Sequence, residues 1–365
     1  MALCLLLTAK IDDNRMRTIE ARTNLKQTLS LLIDYQLIMS HQKYGLAKIM
    51  TELPDLAELD IPDPAHLDAE ATLQIYQALR PVLPPARPAL HQKADRLTDC
   101  LDAFDAFILD GFGVINVGME KIDGIDEFFR RAELAGKPVV ILTNGASAPS
   151  AVLAEKYLRW GLPVTGQHIV SSRDALVAAL PAVHQRSEFL QLDCKTQLIN
   201  GLTSSANANS ELFDTVKGFV FLGSSGWGED DQALLEQSLL QRMRPVLVGN
   251  PDVSAPHPHQ FSAEPGYWMA RAMKAVPSLR PRWFGKPHLP AFQLAVDKVN
   301  QLAAVSVPKH RIAMVGDSLH TDILGGAAAG LGTILITNYG LLRAQDASQL
   351  CAEMKIFPDW QVRLI

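Results

Sequence analysis

An acid, a hydroxyl, a lysine and two further acids are spaced along this chain, each beside the end of an apolar run or the start of an amphipathic one. Asp110 closes the run at residues 104–109 and is followed by Gly111, Phe112 and Gly113. Thr143 and Asn144 close the run at 138–142, and Lys286 stands between Gly285 and Pro287 ahead of a helical pattern. Asp317 follows the run at 312–315 and Gly316, with Asp322 close behind. An acid at the carboxyl tip of a parallel strand lies where open α/β sheets bind ligands, and adjoining glycines let the backbone approach closely. The acids at 317 and 322 are either ligands of a hard cation or helix-start charges. Thr143 and Asn144 either bond an oxyanion or cap the next helix. Taken singly, a strand-end Asp is more often a turn residue and a lysine beside a helix start is usually solvated. It is the combination, in this order, that favours chemistry.

Two other stretches have simpler readings. Residues 223–228 follow an apolar run but spell G-x-x-G-x-G rather than G-x-G-x-x-G, which predicts a glycine-rich turn. His257 and His259 lie near Asn250, Asp252 and Glu264 and alternate with Pro256 and Pro258, which predicts a loop facing a substrate rather than a metal site.

The elements that must position these groups change character along the chain. Residues 17–53 lack Pro and Gly apart from Gly45 and carry Leu25, Leu29, Leu32 and Ile33 at helical spacing. A second helical stretch at 68–79 runs into the prolines 81, 84, 85 and 88, which cannot continue a helix. Beyond residue 93, apolar runs at 104–109, 138–142, 168–171, 219–222, 246–248, 312–315 and 333–337 alternate with amphipathic stretches. Fully apolar runs separated by helices predict an α/β fold whose parallel sheet is covered on both faces. Gly136 and Gly161 stand where helices should stop.

Length and composition bound the rest. The 365 residues predict two or three folding units, and 48% hydrophobic against 20% charged residues supply sizeable cores. A net charge of −5 offers no field to hold nucleic acid. Four scattered cysteines, with no C-x-x-C pair, suit free thiols in a reducing, cytoplasmic compartment. The apolar run at 2–9 is too short to span a bilayer and is read as a packed segment, so no membrane partner is expected.

The ordered set Asp110, Thr143, Lys286, Asp317 with Asp322 resembles the haloacid dehalogenase superfamily over residues 103–342. Residues 249–252 (Gly-Asn-Pro-Asp), 285–287 (Gly-Lys-Pro) and 314–326 resemble in particular its NagD-like, 4-nitrophenylphosphatase-type branch, subfamily IIA. Asp110 and Thr143 are 33 positions apart and Thr143 and Lys286 are 143 apart, so an inserted domain fits only the second gap. The resemblance implies a doubly wound α/β core at 96–173 and 274–365, a C2-type α/β cap at 174–273, and a helical extension at 1–95. It implies that Asp110 is a nucleophile forming an aspartyl-phosphate, that Thr143 and Lys286 hold the phosphoryl group, and that Mg²⁺ is bound by Asp110, Asp317 and the Phe112 carbonyl, with Asp322 in support. Asn144, Asn250, Asp252, His257 and His259 are the candidate substrate contacts. The expected partner is a small phosphorylated metabolite, and a homo-oligomer through the cap or the N-terminal helices is compatible with this reading.

One departure matters. Phosphatases of this family carry a second Asp two residues after the nucleophile, and this chain has Phe112, which transfers no proton. General acid–base catalysis is worth about 10²–10⁴-fold. The expectation is therefore a slow phosphatase, with a phospholigand-binding relative as the alternative and a carbon–halogen hydrolase as a weaker one, because the latter's cap falls between the first two motifs. His320, within the last motif, is read as solvated.

Overall fold

The computed structural model describes residues 56–365 except 194, 206–208, 258, 259, 304 and 344. The helical reading of residues 17–53 and the candidate His259 thus lie outside the described residues.

The first α-helix among the described residues is Ala69–Ala78, capped by the Asp68 carboxylate accepting from Ala71 N. Its buried face of Thr72, Leu73, Ile75 and Tyr76 follows the helical period read over 68–79. The strands β1 (Gln92–Arg96), β2 (Ala106–Leu109), the short hairpin pair β3 (Asn116–Val117) and β4 (Glu120–Lys121), β5 (Val139–Thr143) and β6 (Ile169–Ser171) come next. Residues 189–283 carry β7 (Phe189–Leu192), β8 (Thr203–Ser204), β9 (Gly218–Phe221), β10 (Val246–Val248), the hairpin β11 (Ser254–Pro256) and β12 (Phe261–Ala263), and β13 (Arg282–Trp283). The chain then adds β14 (Ile312–Gly316), β15 (Gly332–Ile336) and β16 (Trp360–Leu364).

Two parallel sheets result. The larger has seven strands in the order β1-β16-β15-β14-β2-β5-β6, and the smaller has five in the order β13-β10-β9-β7-β8. Helices cover both faces of the larger sheet, which explains its apolar strands. Phe107, Leu109, Ile141 and Val315 pack on one face with Phe128 and Tyr157. Ile108, Val140, Leu142 and Met314 pack on the other with Phe292 and Val296. That second cluster also contains Val220 and Leu247 of the smaller sheet and Leu222 just after β9, so the two sheets share a core. The helix Ile125–Leu134 shows the local logic: Ile125, Phe128, Phe129 and Ala132 are buried at helical spacing, and Gly136, at φ 64°, lets the chain leave the helix in the left-handed region.

The α/β class and all seven strands read from the sequence are present, and two features differ from the reading. β1 lies inside the stretch read as a helical extension but pairs with β16 at the edge of the larger sheet. It was not visible because Gln92, Lys93, Asp95 and Arg96 are all exposed, as an edge strand permits. The smaller sheet continues to Trp283, past the end expected near Met273. Among the described residues, no helix is long and apolar enough to cross a membrane.

Candidate active site

The carboxyl ends of β2, β5 and β14 carry Asp110, Thr143 and, after Gly316, Asp317. β2 and β14 are direct neighbours, and the Asp110 amide donates to the Val315 carbonyl at 2.8 Å, which places the two acids side by side. Lys286 enters from the segment after β13. Its ammonium lies 2.7 Å from Asp110 Oδ1 and 2.7 Å from Asp322 Oδ1, with only 2% of the side chain exposed. Burial lowers the affinity of this lysine for its proton, but Asp110, Asp322 and Asp252 outweigh it and hold the ammonium well above its ordinary range. A buried ammonium without such partners would shed its proton.

Negative charge exceeds positive here. Burial, with added repulsion from Asp322 and Asp110, pushes Asp317 up to about 8. Burial pushes Asp322 up to about 7 against the pull of Lys286. Donor oxygens of Asp110, Asp317 and Asp322 lie within 4.8 Å of one another, and they form the one such acidic group among the described residues. Three converging carboxylates with surplus charge fit a hard divalent cation.

Asp317 is fixed by backbone the sequence reading did not single out. Leu341 N donates to its Oδ2 at 2.7 Å and Ser318 Oγ to its Oδ1 at 3.1 Å. A Cβ on Gly113 would lie 2.5 Å from its Cγ, and one on Gly340 would lie 1.6 Å from its Oδ2. Both glycines have positive φ, 77° and 69°, so neither position accommodates a side chain.

The remaining candidates divide by their contacts. Thr143 is half-buried, and its hydroxyl accepts from Gly145 N at 3.1 Å. The Asn144 amide is spent inside the protein: Nδ2 donates to Asp252 Oδ1 (2.8 Å) and to the Lys286 carbonyl (3.0 Å), and Oδ1 accepts from Lys286 N (2.7 Å). It is a strut that sets Lys286. Asn250 links Asp252 N (3.0 Å) to Glu264 (3.0 Å), and burial pushes both Asp252 and Glu264 up to about 7. His257 sits on the β11–β12 hairpin, with Nε2 3.2 Å from Ser262 Oγ and its carbonyl accepting from Arg343 Nη2 at 2.9 Å. It is not among the acids that converge at Asp110.

Phe112 is half-buried in the loop after the nucleophile candidate, where Gly111 O accepts from Ile115 N and Asn116 N. The Phe112 carbonyl takes part in neither bond. His320, read as solvated, is instead 1% exposed and belongs to the turn that joins Asp317 to Asp322. Its neighbours Leu319, Thr321 and Asp322 are buried as well, because the turn packs against the rest of the core rather than facing water. The residues at 223–228 form a turn, with Gly226 N donating to Asp193 Oδ1 at 3.0 Å, as read.

A family model of haloacid dehalogenase-like hydrolases matches residues 107–196, and a second, HAD-hydrolase-like model matches residues 283–359. These two stretches are haloacid dehalogenase-like. The two matches span Asp110, Thr143, Lys286, Asp317 and Asp322, and they leave out most of the smaller sheet and the helix at 69–78. This haloacid dehalogenase-like chain is 24% identical over 237 residues to an acid sugar phosphatase of Staphylococcus aureus, covering 63% of the chain and 85% of that relative. Its fold is similar to that of a possible sugar phosphatase from Cytophaga hutchinsonii, with a TM-score of 0.64 at 24% identity, over 75% of this chain and 98% of the other. It is also similar to a p-nitrophenyl phosphatase from Archaeoglobus fulgidus, with a TM-score of 0.56 at 18% identity, over 71% and 95% of the two chains.

Proposed function

We propose that this protein is a Mg²⁺-dependent phosphomonoesterase acting on a small phosphorylated metabolite. The observation that carries the reading is the Lys286 ammonium bridging Asp110 and Asp322, with Asp317 as the third acid of the group. Asp110, Asp317, the Phe112 carbonyl and, in support, Asp322 would hold the ion, which neutralises phosphate charge when bound. Asp110 attacks phosphorus while the ester P–O bond breaks, and the leaving oxygen departs with the electron pair. Water then attacks the aspartyl-phosphate, releasing inorganic phosphate and regenerating the carboxylate. Lys286 and Thr143 hold the phosphoryl oxygens, and Asn144 positions Lys286. Asn250, Asp252 and the His257 hairpin form the wall toward the rest of the substrate.

Phe112 offers no proton to the leaving oxygen, so turnover is slow for poor leaving groups. The same residue favours a second reading, a relative that binds a phosphorylated ligand without hydrolysing it. The domain division proposed is a core interrupted after β6 by a cap that ends beyond β13, with the core resuming at Lys286. Cys100 and Cys351 are buried free thiols, pushed up by burial to about 12 and 11, which suits a reducing cytoplasm.

The test is hydrolysis of p-nitrophenyl phosphate by the full chain with Mg²⁺ and with chelator, beside Asp110→Asn. Turnover that needs both Mg²⁺ and Asp110 supports the phosphatase. Mg²⁺-dependent binding of inorganic phosphate without turnover supports the binding reading, and neither result would leave both without support.

A further inference from the structure

We propose that Tyr76 is a positioning residue for the cation site: its ring and hydroxyl hold the turn of Asp317 and Asp322 and the loop of Asp252 in fixed relation. This role rests on the Mg²⁺-dependent reading above and adds to the site a residue from the helix Ala69–Ala78, which precedes both matched stretches. Tyr76 is 4% exposed. Its ring stacks on the His320 imidazole, and its hydroxyl accepts from the amide of Val253, the neighbour of Asp252. Burial and then the Asp252 carboxylate hold the phenol well above its ordinary range, with Asp322 and Asp317 adding to the rise, so it stays neutral among the acids.

Three observations make this contact more than packing. The turn is wound unusually wide, with Ile323 N donating to the Ser318 carbonyl, five positions back, at 3.2 Å. Such π-type winding is rare and occurs mostly as single turns at functional sites. Within it, His320 Nε2 is buried and has no hydrogen-bond partner among the described residues. Leaving that nitrogen unpaired costs stability. With no bond there to fix it, the imidazole takes its orientation from the Tyr76 ring. Finally, the helix cannot drift along with the turn, because the chain is tied down on either side of it. Tyr267 Oη donates to the Pro62 carbonyl at 2.6 Å before it, and Arg87 Nη2 donates to the Leu331 carbonyl at 2.6 Å and to Asp359 Oδ2 at 2.7 Å after it. Leu73, Ile75 and Leu79 of the helix share a core cluster with Leu319, Ile323 and Leu324 of the turn and its continuation. A turn backed by a helix pinned at both ends keeps its carboxylates at the spacing a hard cation needs.

The experiment uses full chains and reads melting temperature, Mg²⁺ affinity by calorimetry, and kcat and KM on p-nitrophenyl phosphate over a Mg²⁺ titration. Tyr76→Leu keeps an apolar side chain but removes the stack, so Mg²⁺ affinity should fall about 10–100-fold, the usual cost of removing a group that supports metal ligands. Its turnover should return as Mg²⁺ is raised. Tyr76→Phe keeps the ring and should bind Mg²⁺ as wild type does. Leu73→Ala empties volume from the same helix, and should melt lower with its Mg²⁺ affinity unchanged. His320→Leu breaks the stack from the other side, should weaken Mg²⁺ binding to match, and decides the question where Tyr76→Leu fails to fold. Wild-type Mg²⁺ affinity in a folded stack-breaking variant overturns this proposal alone. So does an equal loss in Leu73→Ala, since the effect would then be one of core packing. A wild type that binds no Mg²⁺ overturns the functional reading and the role of Tyr76 with it.

Discussion

The ring of Tyr76 lies flat on the imidazole of His320, centroids 5.0 Å apart and planes 4° from parallel. Tyr76 comes from the helix Ala69–Ala78, outside the stretches matched by the family models, and His320 from the turn between Asp317 and Asp322. The Tyr76 hydroxyl also accepts from Val253 N at 3.1 Å, next to Asp252. One side chain therefore touches both the loop that carries Asp252 and the turn that carries two candidate metal ligands. The same helix is tied to β11 by Thr72 Oγ1 and Ser254 Oγ, 2.8 Å apart. Burial lowers His320 to about 3, so the stacked imidazole is neutral.

Tyr76→Phe should keep the stack but leave the Val253 amide without its acceptor. The expected loss is about 1–3 kcal/mol of stability, the cost of a buried polar group left unsatisfied. Urea unfolding measures it. Wild-type stability in this variant would mean that the amide finds another acceptor and that the brace is made of ring packing alone.

Lys286→Met removes the cation and leaves Asp110 and Asp322 buried without it. Breaking a buried ion pair from one side costs about 3–5 kcal/mol, so the variant should melt well below wild type and lose turnover. A thermal melt with and without Mg²⁺ checks this, and added Mg²⁺ should recover part of the lost stability by replacing some of the missing positive charge.

Without an acid at Phe112, an aryl phosphate with an acidic phenol should be hydrolysed far faster than an alkyl phosphate. Phe112→Asp should raise alkyl-phosphate turnover toward the roughly 10²–10⁴-fold that a placed acid supplies. Steady-state kinetics on both esters, with His257→Ala as a control, decides the matter. Equal wild-type rates on the two esters, unaffected by His257→Ala, would show that the proton comes from elsewhere.

The raised carboxylates give the metal-free protein a stability that depends on pH. Asp317 lies at about 8 and Asp322 and Asp252 at about 7, burial being the largest cause for each. Unfolded aspartates lie near 3.9, so the folded state holds more protons, and these groups' contribution is present below about pH 4 and lost as pH rises through the folded values. Melting temperature without metal should fall as pH goes from about 6 to about 8.5. Mg²⁺ should flatten that fall, and Asp252→Asn should make it shallower. A metal-free Tm that stays level over this range, in wild type and Asp252→Asn alike, would mean the acids are ionised throughout.

Much of this was legible because interior parallel strands are covered on both faces and so appear as uninterrupted apolar runs. β7 escaped notice because Gln191 interrupts its run, and the structure accommodates it by donating from Nε2 to Thr196 O and accepting from Ile199 N at Oε1. The order of Asp110, Lys286, Asp317 and Asp322 along the chain was readable, since each sits at an element's end. The contacts among them were not. Asn144 reaches Asp252 and the Lys286 backbone across 108 and 142 positions, and no local pattern marks such a strut. Tyr76 was invisible for a related reason: it sits at helical spacing among apolar neighbours, where an aromatic ring reads as core whatever its hydroxyl does.

The pairing of β2 with β14 sets a timetable for making the protein. Phe107 of β2 pairs with Ala313 of β14, 206 positions later (313 − 107). At about 5–20 residues per second of synthesis, β2 waits on the order of ten to forty seconds for that neighbour. β5 and β6 can line up on its other side meanwhile, and every strand of the smaller sheet is made within the delay. The half-built larger sheet thus carries an open apolar edge at the strand ending in Asp110, just where a nascent chain is most prone to pair with the wrong partner. Chaperone demand during translation should accordingly peak after residue 171 has emerged and subside once residue 316 has followed it.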